Sequence, residues 1–147
     1  MKIKNNKMIK WYYLLWSDAI NFTRTNVKFM GIWKLHTLGF ISFFMAINLM
    51  FISIMFKVEV NTHFLVFIHS KAISHFLGFM IVFFLPPLLL NYVFIFSKNQ
   101  WIEVQKDYKH FDGKIYRSYF ILSIVVPVLF LIILKLAHDF FGFTLST

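Results

Sequence analysis

The sequence predicts an all-α polytopic membrane protein. It has three transmembrane helices, an amphipathic N-terminal interfacial helix and a short amphipathic helix in the second loop. Three observations predict this. Long stretches carry no charged side chain, the longest being 72–97. Hydrophobic residues make up 59% of the 147 residues and charged residues 14%, more apolar surface than a soluble domain of this size can bury. The basic residues also fall unevenly on the segments between the apolar stretches, which is how a multi-pass protein encodes its orientation.

The chain reads as a single membrane domain, 1–147, with a first segment at 1–34. Within it, Met8, Tyr12, Leu15, Ala19 and Phe22 recur at helical spacing and form one stripe, flanked by Trp11, Tyr13 and Trp16. Lys7, Lys10, Ser17, Asn21 and Arg24 fall on another side. This pattern suits a helix lying in the headgroup layer, or a docking surface for a partner. Asp18 has no basic residue three or four positions away, so its partner is expected from the second loop, among Lys106, Lys109, Lys114 and Arg117.

The first span covers about 35–56, an uncharged stretch that measures about 33 Å as a helix, enough for a hydrocarbon core of about 30 Å. Its Leu, Ile and Phe residues favour insertion by about 4–7 kcal/mol before Asn48 subtracts its part. A signal-peptide reading is rejected because this stretch exceeds the roughly 7–15 residues of a signal core and no small-residue cleavage pattern follows it. The second span covers about 73–96 and contains Pro86 and Pro87. The third covers about 118–137, contains Pro127, and reaches full thickness only if Lys135 snorkels.

Between the last two spans, the loop 98–117 carries Trp101, Val104, Tyr108 and Phe111 at helical spacing and ends in the turn signal Asp112-Gly113. Twelve basic residues fall in 1–34 and 98–117, against three in the connector and after the third span. The N-terminus and the second loop are therefore expected in the cytoplasm and the C-terminus outside, in a bacterial inner membrane. The same partition reads the formal charge of +9 as a match to anionic lipid rather than to nucleic acid.

Prolines in a span free carbonyls four residues back, so Asn48 is expected to donate to those of Val82 and Phe83. By depth, Asn91 and Ser123 are expected to pair between spans two and three. Gly39, Ser42, Ala46 and Ser53 form a small-residue stripe pointing about 180° away from Asn48. A lone three-helix bundle covers only one such face well, so a homo-oligomer or another membrane protein is expected as partner.

Cysteine is absent, which excludes disulfides, thiolate metal sites and cysteine catalysis. Hydrolase triads, zinc motifs, phosphate loops and paired carboxylates are not found, and no cofactor is expected. His63, His69, His75 and His138 share the outer side, at spacings that favour interfacial histidines over a metal site. Asp112-Gly113 ahead of Arg117 resembles the opening of phospholipid head-group transferases. The match fails: that motif needs Ala-Arg directly after its spacer and two further acids, and here Lys114-Ile115-Tyr116-Arg117 leads into an apolar span with none.

Three stretches together resemble a group of small three-span bacterial membrane proteins: Tyr12-Tyr13-Leu14-Leu15-Trp16-Ser17-Asp18-Ala19-Ile20, the Pro86-Pro87 span ending Asn91-Tyr92-Val93-Phe94-Ile95-Phe96, and Tyr108 to Gly113-Lys114. The resemblance covers most of the chain and implies no activity. The expectation is a non-enzymatic accessory or scaffold subunit. The alternative is a homo-oligomeric pore or membrane-perturbing effector.

Overall fold

The structure, a computed structural model, describes residues 7–26, 32–56 and 71–141. Among these residues every regular element is helical, with α-helices in the order α1 (Lys7–Asn26), α2 (Trp33–Met55), α3 (Lys71–Phe79), α4 (Leu85–Asn91), α5 (Gln100–Asp107) and α6 (Lys114–Phe141). Three helical paths are long and apolar enough to cross a membrane, Trp33–Met55, Ile73–Asp107 and Lys114–Leu136. Their outer faces carry Phe76, Leu89, Leu122 and Ile133, each more than half exposed, an apolar surface that water does not tolerate and lipid does.

The second path contains α3 and α4, joined by a widened π-type turn at Met80–Phe84. Pro86 and Pro87 lack the N–H groups that an α-turn needs there, and the wider turn absorbs the mismatch: Leu85 N–H donates to Met80 O, five residues back. A second π-type turn, Tyr92–Phe96, follows α4. Helical continuity breaks at Lys98 and Asn99, whose φ values of 53° and 57° are left-handed. These two residues separate the span from α5. The third path begins earlier than sequence indicates: α6 is helical from Lys114 and runs through Pro127 and Lys135 to Phe141.

The spans pack α2 against α4 and α6, while α1 packs against α2, α5 and α6. The core therefore sits at one end of the bundle, the capped end, where Trp16, Ala19, Ile20, Ile41 and Ile95 are fully enclosed. Aromatic contacts tie this end together. Trp16 meets Phe96 edge-on at 5.7 Å, Tyr13 stacks on Tyr108 at 5.6 Å, and Trp33 meets Trp101 at 5.2 Å.

The middle of α1 is enclosed: the six residues from Leu15 to Ile20 are all buried, including Ser17 on the side expected to be polar. Met8, on the apolar stripe, is exposed. Protein surrounds the middle of α1 because α2, α5 and α6 enclose it. In the second loop, Val104 is buried and Trp101 and Tyr108 are half-buried, in line with the periodicity, but only Gln100–Asp107 is helix. Phe111 lies beyond it, in the connection to α6 and exposed.

Candidate functional site

Asp18 is the centre of the capped end. It is 0% exposed and its carboxylate accepts three backbone N–H groups. Phe111 N–H and Gly113 N–H donate to Oδ1, the latter at 3.0 Å, and Tyr116 N–H donates to Oδ2 at 3.1 Å. A helix start leaves its first N–H groups without partners and carries partial positive charge. Here α1 supplies a tertiary cap to α6, and the bonds and the dipole together offset the cost of burying the acid.

The loop is shaped for this contact. Asp112 and Gly113 have φ of 52° and 79°, turning the chain so that its amides converge. A Cβ on Gly113 would collide with the Phe22 ring, so the close approach of α1 also requires glycine. The flanking contacts reinforce the pairing: Ser17 Oγ donates to Tyr108 O at 2.8 Å, and Asn21 meets His110 at 3.2 Å. The partner loop for Asp18 is therefore the expected one, but its partners are backbone amides and not basic side chains. Lys106, Lys109, Lys114 and Arg117 are all exposed. Arg117 instead donates to the carbonyls of Gly113 and Asp112, and its guanidinium lies 5.4 Å from the Phe22 ring centre.

The span asparagines are used with their partners exchanged. Asn91, 2% exposed, donates to Ser42 Oγ at 2.9 Å and accepts from the Tyr12 hydroxyl at 2.8 Å. Asn48 donates to Ser123 Oγ at 3.0 Å and to the Tyr119 hydroxyl at 3.3 Å. The expected Asn91–Ser123 pair and the Asn48 bond to the Val82 and Phe83 carbonyls are thus both corrected. Equal depth holds for several faces of three helices, so it does not choose among them. The π-type turn ahead of Pro86 also gives the backbone its own accommodation.

Both polar faces of α2 are consequently engaged inside the chain, Ser42 toward α4 and Asn48 toward α6. Ala46 is buried, and Ser53 Oγ donates to its own helix at Leu49 O. Gly39 has open space where a Cβ would stand, so none of the described helices uses it for close approach. Of the small-residue stripe, Ser42 is thus bonded to α4 within the chain.

Several residues of the site carry no sequence signal. Thr23 and Thr37 meet at 2.6 Å between α1 and α2, and each hydroxyl also lies within reach of the carbonyl four residues back. Each hydroxyl has one hydrogen, so one of the two spends it on the inter-helix bond. Tyr12 reads as part of an apolar stripe, yet its hydroxyl completes the Asn91 network. Burial pushes the Tyr12 pKa above the phenol's ordinary 10.0.

A cavity of about 830 Å³ opens beside this network. Pro86 and Pro87 from α4, Asn48 and Leu49 from α2, Tyr119 from α6 and Met8 from α1 line it. His63 and His69 lie outside the described residues, as does the side chain of His138. Among the described residues no group of three acids or histidines is placed to hold a metal. Compared with known protein families, curated proteins and solved structures, the chain matches none.

Proposed function

We propose that the chain is a non-enzymatic integral membrane protein, an accessory or scaffold subunit of a membrane complex in the bacterial inner membrane, with the capped end in the cytoplasm. The observation that carries the reading is the closure of Asp18 by backbone amides at a fully buried site. Its most conspicuous acid is spent on fixing α1 and the second loop as one rigid cap. That leaves the outer surface of the cap to make contacts.

The outer surface is basic. Lys7, Lys10, Arg24, Lys34, Lys98, Lys106, Lys109, Lys114 and Arg117 are all exposed on the elements of the capped end. Arg24 and Lys34 lie within 5.7 Å of the ring centres of Trp33 and Trp101, an aromatic and cationic border suited to the headgroup level of a membrane. Anionic lipid and the acidic surface of another membrane protein are the partners this chemistry fits. The interfacial role of α1 and α5 belongs to this reading, as the inner lining of that surface.

The second reading, a homo-oligomeric pore or membrane-perturbing effector, draws its support from the apolar outer faces alone, since the polar faces of α2 are engaged within the chain. Expression of the chain by itself in bacterial cells tests the two. The subunit reading expects an unchanged membrane potential, together with photo-cross-linking from Lys106 or Lys10 positions to a defined membrane protein in the native cell. A collapse of the potential with a single multimeric species would overturn it.

A further inference from the structure

The cavity beside Asn91 is an apolar groove whose polar neighbours are turned toward one another. Tyr12 donates to Asn91, Asn91 donates to Ser42, and Asn48 donates to Ser123 and Tyr119. Asn48, Asn91, Tyr12 and Tyr119 reach the lining, and the rest of the wall is mostly hydrocarbon: Met8 and Ile9 from α1, Leu49 and Ile52 from α2, and Pro86 and Leu90 from α4. Two of these walls belong to spans, so the space lies level with the bilayer, and an apolar space of about 830 Å³ open to lipid tails is filled by them. The first turn of α1 contributes Met8 and Ile9 to the lining, and the residues that flank them in sequence, Lys7 and Lys10, are exposed, with no acid in that turn.

We propose that this groove is a lipid site: it takes one acyl chain of an anionic phospholipid, whose phosphate is met by Lys7 and Lys10. An acyl chain suits the walls, since it asks for no hydrogen bond where none is offered. An anionic headgroup suits the two exposed lysines that flank Met8 and Ile9. The bound lipid wedges between α1, α2 and α4, which links lipid composition to the seating of α1. The proposal rests on the membrane reading above and adds a defined, stoichiometric ligand to it.

Native mass spectrometry of the purified full chain, after exchange into vesicles of phosphatidylglycerol or of phosphatidylethanolamine and mild re-extraction, tests it. One retained phosphatidylglycerol per chain is expected, favoured at least several-fold over phosphatidylethanolamine. Filling the groove with Leu49→Trp and Leu90→Trp should abolish retention, while Leu122→Trp on the outer face should leave it intact. Lys7→Gln with Lys10→Gln, which disturbs no packing, should remove the headgroup preference. Retention that ignores the filled groove, equal retention of both lipids, or a groove holding only detergent would overturn the lipid site. Recovery of the chain in buffer without detergent would instead overturn the membrane reading beneath it.

Discussion

Replacing Asp18 is the sharpest perturbation available, because one side chain satisfies three donors from another part of the chain. Asp18→Asn keeps an oxygen for Phe111 and Gly113 but turns an NH₂ group toward Tyr116 N–H, leaving a buried donor against a donor. The lost bond costs about 1–3 kcal/mol. The lost charge at the start of α6 adds about 0.5–2 kcal/mol. Asp18→Asn should therefore destabilise the cap by roughly 2–5 kcal/mol, and Asp18→Ala, which strands all three amides, by more. The assay is thermal unfolding in detergent read by tryptophan fluorescence, which Trp16, Trp33 and Trp101 report from this end of the bundle. At roughly 2–4 °C per kcal/mol, Asp18→Asn should lower Tm by about 4–20 °C. Hydrogen exchange should accelerate first at Phe111, Gly113 and Tyr116. If Asp18→Asn unfolds within about 0.5 kcal/mol of the parent with those amides still protected, the tertiary cap is not what holds α1.

Three further perturbations follow from the same geometry. Asn91→Leu should cost about 1–2 kcal/mol and Asn48→Leu about 0.6 kcal/mol, with Asn91 coupled to Ser42→Ala in a double-mutant cycle of detergent melts; additivity of that pair would count against the Asn91–Ser42 bond. Gly113→Ala should cost about 1–3 kcal/mol through its positive φ and the Phe22 collision, and pairing it with Phe22→Leu should recover part of the loss in the same melts. The Tyr12 pKa is raised on folding, so its contribution is complete below the unfolded value of 10.0 and lost as pH rises beyond it. Tyr12→Phe should accordingly be less stable than the parent at pH 8, and the gap should narrow in melts taken above pH 10.

The spans were legible in the sequence because membrane insertion depends on length and the absence of charge, both local properties. Asp112-Gly113 was legible for a similar reason: a two-residue turn with left-handed backbone leaves its own residue signature. Asp18 stood out as an acid without a local partner, which located the loop it reaches. The nature of that partner was hidden, since backbone amides have no letter in a sequence. Asn48 and Asn91 show a different limit. Depth along a span is readable by counting, but the rotation of each helix about its axis is set by packing, so residues at one level can be paired in several ways. The enclosure of α1 escaped for the same cause: an aromatic-rich helix has one periodicity whether it lies on lipid or on protein.

The orientation of the three spans can be measured directly, because the chain has no cysteine and any introduced thiol is the sole target. Single cysteines at Thr62 in the connector and at Lys106 on α5 would be treated with a membrane-impermeant maleimide in intact cells and again after permeabilisation. With the capped end in the cytoplasm, the Thr62 thiol labels in intact cells and the Lys106 thiol only once the membrane is opened. Labelling at Lys106 in intact cells, with Thr62 protected, would contradict the account.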